Sequence, residues 1–355
     1  MRFLSIAAAF FAFAIGAAPA IADDVEQAKK AVNAATDEQL LAEFQRRYDA
    51  RTSRVRARDL SPAPRPASPL ASTDEATLVH AARLTARTIY GTDDRKDFFQ
   101  VADDGVISLA RASVALFTAD NARASGATVS LKTKALKDVQ RLCQGERFEG
   151  QPSGAYCSGT LVAPDTVLTA GHCVRELSGD DTIGLLPETR FVFGYWMKDA
   201  ATPPGDIPAE QVFSGKKLLG GEASDARDWA LVRLDRPVPE TIAKPVADWT
   251  LDPVQKGQKV FVIGFPSGIP LKYAPGASIR DDSKPGFFVA DLDSFGGNSG
   301  SGVYDQATKK LIGILVRGDT DYLEDKAKRC WRVHVCPRGC RGEDVTRISI
   351  VQVSN

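Results

Sequence analysis

The sequence carries no surplus of charge. Its 355 residues hold 45 Lys+Arg against 45 Asp+Glu, so no global field draws it to nucleic acid or to an anionic membrane. Histidine is scarce: His80, His172 and His334 are the full set, which leaves three candidates for any chemistry that needs an imidazole. Beyond the first 22 residues no apolar run is long enough to span a bilayer. No internal repeat of fixed period is present, which excludes a repeat architecture. What remains is ordinary for a folded globular chain. Hydrophobic residues make up 43% and charged residues 25%, and the length suits one large domain or two smaller ones.

The chain opens "MRFLSIAAAFFAFAIGAAPAIADD", with Arg2 before an apolar run that closes on Ala20-Ile21-Ala22. This pattern predicts a secretory signal over residues 1–22, cut after Ala22. An uncleaved anchor is the alternative, and the small-residue ending followed by Asp23-Asp24 argues against it. The mature protein is therefore expected to be secreted or periplasmic, with no stable membrane insertion. Export makes Cys143, Cys157, Cys173, Cys330, Cys336 and Cys340 readable as three disulfides. The cluster "CWRVHVCPRGC" around His334 has the donors for zinc, but oxidation outside the cell competes for the same thiols. No metal and no cofactor is expected.

Residues 23–87 read as a separate segment. Leu40, Leu41, Phe44 and Tyr48 recur at helical spacing behind Thr36, a suitable N-cap. An arginine-rich stretch follows and runs into "SPAPRPASPLAS", an extended linker. The arginines lack interleaved aromatics and any nucleic-acid module, so a solvated, protease-sensitive arm is expected. From about Ile89 the texture changes. Short runs such as "VISLA", "SVALF", "SGTLVA", "TVLTA", "WALVRL", "KVFVIGF" and "LIGILV" recur between Gly, Pro and Asp. Many short strands with few helical patterns predict an all-β barrel or sandwich over residues 88–355.

Three segments of this region carry chemistry. "CSGTLVAPDTVLTAGHC" reads as two strands joined at Pro164-Asp165 and ending on His172. Cys157 and Cys173 bracket the hairpin, so a bridge between them would fix the loop that holds the imidazole. In "DARDWALVRLD", Asp228 lies directly beside the apolar run Trp229-Ala230-Leu231, with Asp225 and Asp235 as neighbouring acids. A buried carboxylate there needs a partner, and a histidine N–H suits. In "GGNSGSG", glycines surround Ser299 and allow a strained turn. A serine hydroxyl attacks only when a base takes its proton and a third group orients that base. The N–H groups of Gly297 and Ser299 are the candidates to hold an oxyanion.

"TAGHC", "DWALVRL" and "GGNSGSG", in the order His, Asp, Ser, resemble the trypsin-like (chymotrypsin-fold) serine peptidases. The asparagine before the serine is most similar to the bacterial glutamyl-endopeptidase (V8-like) branch, and "IYGTDDRKDFFQV" resembles the start of the mature enzyme there. The resemblance spans roughly residues 88–350. It implies two antiparallel β-barrels with the active site between them, preceded by a short helical and disordered pro-segment. It also implies His172 as general base, Asp228 as its orienting partner and Ser299 as nucleophile, acting on protein or peptide substrates, with the protein a monomer.

Three departures bear on specificity and activation. Trypsin-like enzymes pair an aspartate before the serine with the freed amino terminus; Asn298 is neutral and cannot. The glutamyl branch carries a histidine where "LIGILVRG" has Leu315, so glutamate preference does not carry over. Asp293, six residues before Ser299, stands where enzymes that cut after Arg or Lys have a pocket-floor acid. It reads either as that acid or as a structural acid of a loop that also holds Asp291. The expected processing point is Arg87–Thr88, and an active enzyme preferring Arg or Lys could make that cut itself. Two other classes share these motifs: a binding protein on an inactive protease fold, and an esterase using the same triad. For the four cysteines other than Cys157 and Cys173 three pairings exist, and a bridge from Cys143 to the C-terminal group is expected.

Overall fold

A short strand can bury its faces only against neighbours, and here twelve strands close into two rings. The computed structural model describes residues 89–174, 186–224, 226–318, 320–336 and 340–351. All of these fall in one unit, Arg83–Asn355. The expected signal (1–22), the pro-segment (23–87), its Arg87–Thr88 boundary and Asp225 lie outside the described residues.

The first barrel is built from β1 (Ser113–Thr118), β2 (Cys157–Ala163), β3 (Thr166–Thr169), β4 (Thr189–Val192), β5 (Val212–Ala223) and β6 (Asp228–Leu234). They pair in the order β4-β5-β6-β3-β2-β1 and close through β1 and β4. Leu116 stands opposite Cys157, and Leu168 opposite Leu231. The second barrel holds β7 (Lys259–Gly264), β8 (Lys272–Asp281), β9 (Phe287–Ala290), β10 (Gly302–Asp305), β11 (Leu311–Arg317) and β12 (Glu343–Arg347). Its order is β7-β10-β11-β12-β9-β8, closed by β8 pairing with β7. Closure leaves no free sheet edge within either ring. Leu116, Val167, Phe191 and Val232 share a face and fill the first interior; Val260, Phe288, Leu315 and Val345 fill the second. The all-β, two-barrel expectation holds.

One apolar run departs from it. "VISLA" forms part of a helix, Asp104–Ala112, and only "SVALF" after it is a strand. Asp103 explains the difference: its carboxylate accepts from the N–H groups of Gly105 and Val106 (2.9 and 3.1 Å), satisfying donors that a helix start leaves open. Val106 and Ala110, four residues apart, then face the core.

Three disulfides staple the frame: Cys143–Cys330, Cys157–Cys173 and Cys336–Cys340. They occupy all six cysteines, so the cluster around His334 offers no thiolate for zinc. His334 instead donates its Nδ1–H to the Thr320 carbonyl (2.9 Å). Strand Ile89–Tyr90 pairs in parallel with Val335–Cys336, and Lys96–Asp97 adds to the side of β8. Among the described residues no helix is long and apolar enough to cross a membrane.

Candidate active site

His172 sits in a single 3-10 turn, Gly171–Cys173, at the end of β3. The Cys157–Cys173 bridge ties that turn to the start of β2, as the bracketing cysteines predict. Gly171 is required by close approach: a β-carbon there would lie 2.1 Å from the Glu222 carbonyl oxygen. The turn therefore packs directly against β5, whose end at Ala223 pairs with Asp228.

Asp228 is fully buried at the start of β6. Its Oδ1 accepts the His172 backbone N–H (3.0 Å) and its Oδ2 meets His172 Nδ1 (2.6 Å). A carboxylate can only accept, so Nδ1 carries the proton and the Nε2 lone pair faces outward. Burial alone would push the Asp228 carboxyl up. The His172 ring and N–H, with Arg317 nearby, outweigh it and hold the carboxyl below the ordinary range. Thr346 Oγ1 donates to the Asp228 carbonyl (3.0 Å), fixing the residue from the second barrel. The competing Asp235 is solvent-facing and pairs with Arg236.

Ser299 lies in a turn between the barrels. Gly297 and Gly300 have φ of +91° and +87°, values that a side chain disfavours. A β-carbon on Gly300 would meet the Ser158 carbonyl at 2.1 Å and the Ala170 nitrogen at 2.9 Å. The Ser299 turn is thus pressed against the chain that leads into His172. Ser158 clamps it further: its N–H donates to the Ser299 carbonyl (2.8 Å) and its Oγ to the Gly297 carbonyl (2.7 Å). On the other side Gly300 N–H donates to the Leu315 carbonyl (2.7 Å), and Leu315 N–H to that of Ser301 (2.9 Å). Among the described residues no backbone acceptor meets the Gly297 N–H. Asn298 is buried, and its Oδ1 accepts from Ser301 Oγ (3.2 Å). Its side chain is engaged inside the turn itself.

Asp293 is buried six residues upstream. Its oxygens accept the N–H groups of Tyr90 (2.8 Å) and Asp94 (3.4 Å), the first residues of the described chain. Burial pushes its carboxyl up to about 7, against the Tyr90 N–H and Arg95, which favour the charged form. Asp291 accepts from Ser278 N–H and pairs with Arg280. Several buried groups near the site carry no motif of their own. Arg95 pairs with Asp93 (2.7 Å) and lies over the Phe295 ring, 4.2 Å from its centroid. Glu343 accepts from Ser294 Oγ (2.6 Å) and Tyr90 OH (3.1 Å). Nothing local in the sequence marked Glu343 or its partners.

Cys157, His172 and Cys173 bring ligand atoms within 4.8 Å of one another, but the two sulfurs are bonded to each other. The set suits no metal. It suits acyl transfer: an oriented imidazole, a hydroxyl on a strained turn and backbone N–H groups beside it.

The family match falls on the same part of the chain. Residues 157–314, which include His172, Asp228 and Ser299, match the family profile described as a trypsin-like peptidase domain. The chain is 23% identical over 158 residues to a glutamyl endopeptidase of Bacillus licheniformis, covering 43% of this chain and 46% of that protein. It is 33% identical over 92 residues to a CLIP domain-containing serine protease of Bombyx mori, covering 23% and 24%. The chain thus spans less than half the length of these curated relatives. Among solved structures it is similar to Glu endopeptidase in complex with MPD, with TM-score 0.42 and 15% identity over 70% of this chain and 94% of that one. It is also similar to human heparin binding protein, with TM-score 0.44 and 12% identity over 73% and 92%. The match over residues 157–314 and the two-barrel fold agree with the chymotrypsin-fold serine peptidases.

Proposed function

We propose that this protein is an exported serine endopeptidase that cleaves protein or peptide substrates through His172, Asp228 and Ser299. The observation that carries the reading is the double grip of the buried Asp228 on His172, through the ring N–H and the backbone N–H at once. That grip leaves Nε2 basic and immobile, which is what a serine hydroxyl requires. Ser299 Oγ attacks the scissile carbonyl as its proton passes to Nε2. The N–H groups of Gly297 and Ser299 receive the oxyanion. The His172 imidazolium, held by Asp228, returns the proton to the leaving amine, and water then repeats the sequence on the acyl-enzyme.

Two buried carboxylates near the nucleophile loop, Asp293 and Glu343, support a preference for Arg or Lys before the scissile bond. The same preference fits removal of residues 23–87 at Arg87–Thr88 by the enzyme itself, after the signal 1–22 is cut. The disulfides suit an oxidising compartment, secreted or periplasmic, and the protein is taken as a monomer. Asn298 is bonded to Ser301, which supports activation without an ion pair to the new amino terminus.

Ser299→Ala tests the reading. It should lower peptide hydrolysis by about 10⁴- to 10⁶-fold with the fold intact, while Ser301→Ala has far less effect. Near-normal turnover in purified Ser299→Ala protein would end the peptidase reading.

A further inference from the structure

Outside both barrels, strands Tyr322–Asp325 and Cys330–Val333 pair with each other alone as a two-stranded hairpin. Its second strand is sewn to the segment around Cys143. The Cys143–Cys330 bridge joins the two covalently. Beside it, Cys143 N–H donates to the Trp331 carbonyl (2.9 Å) and Trp331 N–H to the Arg141 carbonyl (3.0 Å). His334 closes the base of the hairpin, its N–H donating to the Asp321 carbonyl (2.8 Å). Asp321 and Tyr322 are thus a fixed point, and they meet the loop that carries Ser299. The Tyr322 ring lies 5.3 Å from that of Phe295, centroid to centroid.

In that loop Gly296 is held at both of its backbone groups. Its N–H donates to Asp321 Oδ2 (2.8 Å), and its carbonyl accepts the Ser267 N–H (2.5 Å). Ser267 sits in the turn Pro266–Gly268 with φ of +50°, a value that a side chain disfavours, so its surroundings must keep it there. Beyond the bond to Gly296, Ser153 Oγ donates to the Ser267 carbonyl (2.7 Å), and Ser267 Oγ meets Tyr322 OH at 2.6 Å. The two holders of Gly296 therefore converge on Tyr322, which follows Asp321 in the chain and is hydrogen-bonded to Ser267.

A trans peptide plane carries its carbonyl and its N–H on opposite sides. Because the Gly296 carbonyl is turned toward Ser267, the Gly297 N–H in the same plane is turned away from it. Glycine on both sides makes rotation of this plane easy, and a half-turn would put a carbonyl where the donor stands. A carbonyl there repels an oxyanion instead of binding it. The Ser267 N–H opposes that half-turn.

We propose that Tyr322 is a positioning residue: through Ser267 it locks the Gly296–Gly297 peptide so that the Gly297 N–H is presented to the oxyanion. The inference rests on the peptidase reading, in which Gly297 is an oxyanion donor, and adds to it a hydroxyl supplied from outside both barrels.

Tyr322→Phe tests it in the mature enzyme, since it removes one oxygen and keeps the ring beside Phe295. Active sites are first counted by fluorophosphonate labelling run to completion, so a misfolded fraction is separated from a slow enzyme. On a peptide that the wild type cleaves, kcat should fall about 10- to 100-fold, with KM within about twofold of wild type. Affinity for a peptide aldehyde, which Ser299 Oγ attacks to give a tetrahedral adduct, should fall by the same factor as kcat/KM. Affinity for the matching carboxamide, which binds without being attacked, should not change. Ser267→Ala should reproduce the loss, and the double variant should be no slower than either single one, because both remove the same bond. An unchanged kcat in Tyr322→Phe, an equal loss of aldehyde and carboxamide affinity, or losses that add in the double variant would each overturn the assignment. Absence of fluorophosphonate labelling in wild type would instead overturn the peptidase reading beneath it.

Discussion

Replacing Asp293 by asparagine should change how stability depends on pH. Asp293 is 6% exposed, and burial is the largest influence on its carboxyl, pushing it from 3.8 up to about 7. Asp94 and Asp93 push the same way, while the Tyr90 N–H and Arg95 oppose them. Between those two values the folded protein holds a proton that the unfolded chain has released. The associated stability is therefore fully present below about pH 4 and is lost as pH rises through about 7. The gap between 3.8 and about 7, at ~1.4 kcal/mol per pH unit, sets an upper figure of about 4 kcal/mol. Relaxation around the charged form lowers this to roughly 2–4 kcal/mol, or about 5–10 °C in Tm for a domain of this size. Asparagine has no proton to lose, so the variant lacks that decline. The carboxyls of Asp228, Asp93 and Asp305 are held low; their stability is lost only as pH falls below the ordinary carboxylate range, outside the window. The assay is calorimetric Tm from pH 4.5 to 8 for Asp293→Asn and its parent, both carrying Ser299→Ala to prevent self-cleavage. The Tm difference should move steadily in favour of asparagine as pH rises. Parallel curves would refute the buried, protonated carboxyl.

Two further outcomes follow from the packing around the site. Replacing Cys157 and Cys173 together by serine should cost about 2–4 kcal/mol, the usual figure for a loop of this length. It should also lower kcat by loosening the His172 turn, and urea denaturation with steady-state kinetics would measure both. Ser158→Ala removes the hydroxyl that holds the Gly297 carbonyl and accepts from Phe265 N–H (2.7 and 3.1 Å). With Gly297 as the proposed oxyanion donor, this hydroxyl acts by positioning it, and kcat should fall about 10- to 100-fold with KM nearly unchanged. An equal rise in KM would point to a substrate contact instead.

Much of this architecture was legible in the residues, for local reasons. Most barrel strands announce themselves as apolar runs between turn formers, though β5, β8, β10 and β12 do not, and the hairpin over Cys157–Thr169 turns at Pro164-Asp165. His172 stood out because the sequence has so few histidines, and Ser299 because glycine surrounds it. "VISLA" was misleading, since five apolar or small residues look alike in a strand or a buried helix face; Asp103, the cap, decided it. The pairing of Asp228 with His172 was guessable only from order and from the need of a buried carboxylate for a donor. Glu343 was not legible at all, because its meaning depends on β12 lying beside β11, with Asp344 opposite Arg317. The roles of Arg95 and Tyr90 likewise depend on where the first strand docks, more than two hundred residues away in sequence from its partners.

The central claim is that Ser299 is activated by His172 under the grip of Asp228. Stoichiometric labelling of the purified mature protein with a fluorophosphonate, followed by peptide mapping, tests it most directly. The account predicts one label per chain, carried by Ser299, with labelling lost in His172→Ala and strongly slowed in Asp228→Asn. A label on another residue, or undiminished labelling of Ser299 in His172→Ala, would contradict it.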